Sequence, residues 1–118
     1  MVNRARGEAT ISLDGTNYRV CADFNALAEM EDGMGLDCLD ELGPRLERPR
    51  AKDIIVCLGA LIRAGGGDIS DREIGAMLTP ASFADVLEQL HDAIGAAFGE
   101  PENPTRPPAK KRSSTGRK

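Results

Sequence analysis

Ala9-Thr10-Ile11-Ser12-Leu13-Asp14-Gly15-Thr16-Asn17-Tyr18-Arg19-Val20 has the pattern of a β-hairpin. Asp14-Gly15 is a two-residue loop suited to a type I′ turn, because both central residues must take positive φ and these two tolerate it. The flanks then pair in one register. Leu13 faces Thr16, Ile11 faces Tyr18 and Ala9 faces Val20 on one side; Ser12 with Asn17 and Thr10 with Arg19 fall on the other. This is the alternation of a half-buried antiparallel pair. Two strands alone are marginal in water, so Ile11, Leu13, Tyr18 and Val20 must be covered. Either the chain's own helices cover them or the hairpin extends a sheet supplied by another chain.

After the hairpin, Asp23 or Asn25 can cap a helix that carries Phe24, Leu27, Ala28 and Met30 and ends near Gly33 or Gly35, with Glu29, Glu31 and Asp32 on its outer side. A weaker helical segment covers roughly residues 36–42, and Gly43-Pro44 interrupts or restarts it. From Ala51 to Ala64 the spacing of Ile54, Ile55, Leu58, Leu61 and Ile62 predicts a strongly amphipathic helix at the centre of the core. Gly65-Gly66-Gly67 ends that helix. The triplet follows a helix rather than a strand and lacks a Lys-Ser or Lys-Thr partner, so it reads as a helix stop and not a phosphate cradle. Ser70 with Glu73 forms a capping box for a short helix bearing Ile74, Met77 and Leu78. Thr79-Pro80 then opens the last helix, which runs to Phe98 with Phe83, Val86, Leu87, Leu90, Ile94 and Phe98 along one stripe and Asp85, Glu88 and Asp92 outside it. The expected fold is α+β: an N-terminal β-hairpin followed by four or five helices, with the two long helices forming the core against the hairpin and the first helix.

Residues 1–99 read as one small domain, and residues 100–118 as a disordered, proline-rich basic tail. That tail holds Pro101, Pro104, Pro107 and Pro108 and ends in Lys110-Lys111-Arg112-Ser113-Ser114-Thr115-Gly116-Arg117-Lys118, with no apolar side chain larger than alanine or proline. Charge divides at the same boundary. The first 99 residues carry nine Lys and Arg against seventeen Asp and Glu, a net −8, while the tail carries six against two, a net +4. An acidic body argues against a folded nucleic-acid-binding face, which needs clustered Lys and Arg, and leaves the tail as the only region suited to weak contact with nucleic acid.

No run approaches the ~20 apolar residues of a membrane span, and the N-terminus lacks the apolar core of a secretory signal, so a cytoplasmic protein with no membrane partner is expected. Cys21, Cys38 and Cys57 are odd in number and widely spaced, as reduced thiols would be, and form no zinc-binding pattern. His91 stands alone, with no Ser, Cys or second ligand placed to partner it. Acidic pairs such as Glu29 with Asp32, or Asp37 with Asp40 and Glu41, read as solvated helix faces in the absence of a calcium-type loop. Phe24, Phe83, Phe98 and Tyr18 are too few and too far from basic residues for a stacking platform. The sequence therefore assigns no catalytic, cofactor-binding or metal-binding residue. It points to a protein that works by contacting other proteins.

The order and spacing of several motifs resemble a small family of tailed bacteriophages and gene transfer agents, described variously as tail tube protein or tail assembly chaperone. The motifs are Asn3-Arg4 with Arg6-Gly7-Glu8; Leu13-Asp14-Gly15 with Tyr18; Ala26-Leu27-Ala28-Glu29 with Glu31; Ala51-Lys52-Asp53 with Leu58; and Leu61-Ile62-Arg63-Ala64-Gly65-Gly66. The resemblance covers most of residues 3–80, and the last helix and basic tail share only its general character. It implies a non-enzymatic role in tail morphogenesis inside a bacterial host, foremost as a chaperone that keeps the tape-measure protein soluble until tube protein polymerises around it. The alternative it implies is a structural tail tube component of the particle. A nucleic-acid-associated regulator acting through the tail is a third reading. The partners expected are other tail proteins, with an oligomer compatible, and the residues expected to meet them are Tyr18, Phe24, Leu27, Met30 and Met34. Flexible Met30, Met34 and Met77 would shield an amphipathic tape-measure helix.

Overall fold

A computed structural model of the chain describes residues 7–98. The expected basic tail, residues 100–118, and the Asn3-Arg4 motif lie outside the described residues. Among the described residues the architecture is a two-stranded antiparallel hairpin and five α-helices, an α+β fold. Strand β1 (Glu8–Leu13) and strand β2 (Thr16–Cys21) pair Leu13 with Thr16, Ile11 with Tyr18 and Ala9 with Val20, the register dictated by the turn. Asp14 (φ 51°) and Gly15 (φ 80°) both take the positive φ that a I′ turn requires.

Helix α1 (Phe24–Met34) starts at Asp23, whose carboxylate accepts from the Ala26 N–H at 2.9 Å, and stops at Gly35 in the left-handed conformation. Gly33 lies inside the helix because it packs on Val56, where a Cβ would come within 2.6 Å of a methyl group. Next, a 3₁₀ turn (Leu39–Glu41) runs directly into α2 (Leu42–Glu47). Pro44 falls in the first turn of α2, where no intrahelical N–H is needed, so Gly43-Pro44 restarts the helix rather than breaking it. Helix α3 (Ala51–Ala64), α4 (Asp71–Met77, with the Ser70–Glu73 capping box) and α5 (Phe83–Ala97, entered through a 3₁₀ turn at Pro80–Ser82) follow the boundaries read from the sequence.

The hairpin rests on the chain's own helices: Ile11, Leu13 and Val20 are fully buried and Tyr18 partly so. Helix α5 packs along β1, while α3 packs along both β2 and α1. The two long helices therefore sit on opposite strands and touch each other only briefly, instead of forming a pair at the centre as the sequence suggested. Helix α3 alone occupies the centre, with Ile54, Val56, Cys57, Leu58, Ala60, Leu61 and Ile62 all buried.

Each sheet edge is met at one point. Gly7 and Ala22 share a main-chain hydrogen bond (2.8 Å), so alternation turns the main chain of Ser12 outward from β1. Gln89 of α5 meets it as a neighbouring strand would: the Ser12 N–H donates to Gln89 Oε1 at 2.8 Å and Gln89 Nε2 donates to the Ser12 carbonyl at 3.0 Å. Along β2, the glycine that ends α3 lies against the Arg19 carbonyl, and a Cβ on Gly65 would fall 2.3 Å from that oxygen. The glycine stop is thus also a contact that no larger residue can make.

Candidate functional site

The residues expected to meet a partner are divided by the fold. Leu27, Met30 and Met34 line up with Ala26 on the face of α1 that packs on α3; all four are buried, Met30 completely. The physical reason is register. Positions 26, 27, 30 and 34 form one stripe at helical spacing, and α3 supplies the apolar surface that stripe needs. The expected groove of flexible methionines is therefore core. Met34 Sδ lies 3.6 Å from Cys57 Sγ, and Met77 accepts a weak hydrogen bond from the Tyr18 hydroxyl at 3.5 Å. Tyr18 is half-buried by that contact. Phe24, one turn before the stripe at the first position of α1, points away from it and is 79% exposed.

Three features that the sequence reading passed over stand out. The first is an apolar groove of about 470 Å³, whose walls include Ile54 and Ile55 of α3, Leu78 after α4, Pro80 of the 3₁₀ turn, and Phe83 and Val86 of α5. Its rim is fixed by a reciprocal pair in which the Thr79 N–H donates to Ser82 Oγ (3.2 Å) and that hydroxyl donates to the Thr79 carbonyl (2.9 Å). Gly75 borders the groove without a side chain to fill it. The signal was present in the sequence as Phe83, an aromatic placed at the start of a helix rather than along its middle.

The second feature is a buried carboxylate. Asp53, fully buried at the first turn of α3, accepts from the Arg50 N–H (2.9 Å) and from Arg50 Nη2 (2.9 Å), with Arg45 Nη1 at 3.6 Å. Burial pushes the Asp53 carboxyl up, but the hydrogen bonds and charge of Arg50, with the charge of Arg45, outweigh it and hold the group below its ordinary value of 3.8. Both arginines also donate to the Met34 carbonyl, at 3.1 and 3.5 Å. The cluster thus ties the end of α1, helix α2 and the start of α3 together. It is a structural clasp, signalled in sequence only by an arginine three residues before an aspartate at a helix start.

The third is Arg63, which pairs with Glu29 of α1 and Asp71 of α4 and donates to the Ile69 carbonyl at 3.1 Å, joining three segments at the other end of α3.

The lone histidine joins helices too: His91 Nε2 donates to the Leu46 carbonyl at 2.8 Å, linking α5 to α2. Cys21, Cys38 and Cys57 form no disulfide, and burial pushes the Cys57 thiol up to about 12, so it stays protonated and behaves as a small apolar residue. Among the described residues no group of His, Cys, Asp and Glu is arranged to hold a metal ion. No described helix is long and apolar enough to cross a membrane.

A family model described as "Phage tail tube protein, GTA-gp10" matches residues 6–100, from the start of the hairpin to the end of α5. The chain belongs to this phage tail tube family. The match reaches past the stretch that carried the resemblance and takes in the last helix, whose Gln89 meets β1 at Ser12 and whose Phe83 walls the groove. Comparison with curated proteins and with solved structures returns no match.

Proposed function

We propose that this protein is a non-enzymatic structural component of a phage-like tail, a tail tube subunit whose partners are other tail proteins. The family match over residues 6–100 carries the proposal. The geometry is compatible with it: a small domain clasped at both ends of α3 by ion pairs, with its exposed aromatic and its apolar groove on the outside. Mass spectrometry of purified particles tests it. Recovery in amounts comparable to the most abundant tail proteins is the expected result, and absence from intact particles would overturn it.

A second reading, an assembly chaperone for the tape-measure protein, draws on two observations. Each edge of the hairpin is met at one residue, Ser12 by Gln89 and Arg19 by Gly65, and two strands offer little sheet to extend into a tube wall, while the groove is apolar enough to shelter one face of a helix. Co-expression with the tape-measure protein separates the two. A chaperone raises its solubility, co-purifies with it and is missing from finished particles.

A further inference from the structure

Helix α5 ends on a second apolar groove. Leu39 of the 3₁₀ turn, Leu42 and Leu46 of α2, and Ile94 and Phe98 at the C-terminal end of α5 line about 380 Å³, a set of residues separate from the groove beside Phe83. Leu42 and Leu46 are buried and Leu39 is half-buried, while Phe98 is 50% exposed. The hydrogen bond between His91 and the Leu46 carbonyl holds the two walls together. Phe98 caps α5 and is itself a wall, so the chain leaves the helix at the edge of the groove.

We propose that the segment that follows, Pro101 to Arg112, folds back into this groove of its own chain, with its prolines on the apolar walls and its cations on the acidic rim. Composition leaves that segment unable to fold alone, and the groove supplies the surface it lacks. Three observations single out this occupant. The first is period. Pro101, Pro104 and Pro107 recur every third residue, the repeat of a polyproline II helix, so all three fall on one face. Such a face suits an apolar groove with an aromatic wall, and its preset backbone has little freedom left to lose. The second is reach. His91 and Phe98 lie about 10 Å apart along α5 at 1.5 Å per residue, whereas the stretch from Pro101 to Pro107 spans about 19 Å at about 3.1 Å per residue. The segment can therefore turn at Gly99-Glu100 and run the length of the groove, and its tether holds it near the site at an effective concentration of about millimolar. The third is charge. Asp40 and Glu47 line the groove, and Asp37 and Glu41 share the 3₁₀ turn and its approach. Glu41 accepts only from neutral donors, the Asp37 N–H and the Cys38 thiol. Of the two arginines in this stretch, Arg45 is engaged with Asp53 and the Met34 carbonyl, which leaves Arg48. The segment brings Arg106, Lys110, Lys111 and Arg112 after two carboxylates of its own, Glu100 and Glu102. Docked there, it keeps the groove closed to other proteins.

Amide relaxation of the nitrogen-labelled full-length chain tests the proposal. Heteronuclear Overhauser enhancements at Asn103, Thr105, Arg106 and Ala109 are expected to be positive, near those of α5, and unchanged on dilution. Reversing the cations with Lys110→Glu, Lys111→Glu and Arg112→Glu together should drop them to the negative values of a free chain and shift the amides of Leu39, Gly43 and Gly95. Pro104→Ser with Pro107→Ser should release the segment through its apolar half. Asp40→Lys with Glu47→Lys, at two exposed positions, should release it too, and joining that pair to the reversed cations should restore the positive enhancements. Negative enhancements throughout the wild-type segment, a cation reversal that leaves them positive, or enhancements that fall on dilution, the mark of docking on a second copy, overturn the proposal. None of these outcomes bears on the tail-component reading, which the composition of particles tests separately.

Discussion

Helices α3 and α5 have nearly the same length, 14 and 15 residues, and both read from the sequence as amphipathic stripes, yet the fold uses them differently. Helix α3 is enclosed by β2, α1 and α4, so that even its small and polar positions, Asp53, Gly59 and Ala60, are buried. Helix α5 covers β1 along one side, buries Val86, Leu90, Ala93 and Ile94, and leaves Asp85, Glu88 and Asp92 in water. Periodicity reports that a helix has a face to bury. It does not report how many neighbours will come to meet it.

The sharpest way to break the contrast is at the clasp of α3. Replacing both Arg45 and Arg50 with alanine strands the buried Asp53 carboxylate without its cations, and the largest loss of stability of the variants considered is expected in chemical denaturation. The same clasp sets a pH dependence. Asp53 is held below its ordinary value, so its contribution is complete above that value and is lost as pH falls through the lowered one. Melting temperature should therefore drop below about pH 4, and the double variant should lose that part of the drop. A pH profile unchanged by the double substitution would remove the clasp from the account.

Matched truncations compare the two helices directly. Leu58→Ala, at a fully buried position of α3, should cost about 2–5 kcal/mol, whereas Leu87→Ala, half-buried on α5, should cost less than about 1.5 kcal/mol. Equal losses in urea titrations would mean that α5 is as central as α3. Gln89→Ala, which releases both main-chain groups of Ser12 to water at an exposed edge, should cost about 1 kcal/mol and speed amide exchange at Ser12. The smallest effect is expected at Phe24. Its side chain touches water rather than core, so Phe24→Asp should change stability by less than about 0.5 kcal/mol.

Much of the fold was legible because its signals are local. Asp14-Gly15 fixed the register through the φ values its residues can take, and Asp23, Ser70 and Thr79 marked helix starts through hydrogen bonds within three residues. Less of the candidate site was legible. Phe24, Leu27, Met30 and Met34 read as one set for a partner, but the arrival of α3 took the last three for the core and left Phe24 outside. Of the groove, only Phe83 gave a signal, because the walls come from α3, the segment after α4 and α5, and the other wall residues each look like ordinary core.

By itself, then, the sequence determined the hairpin and its register, the boundaries of the long helices and the glycine stop that ends α3, since each follows from backbone preferences and short-range hydrogen bonds. Tertiary structure decided which face of α1 is hidden, how the hairpin's edge is met and where a partner can bind. Those outcomes depend on groups far apart in the chain, such as Ser12 and Gln89, 77 residues apart, and on the Met34 carbonyl, which meets Arg45 and Arg50 only after α1 has packed on α3.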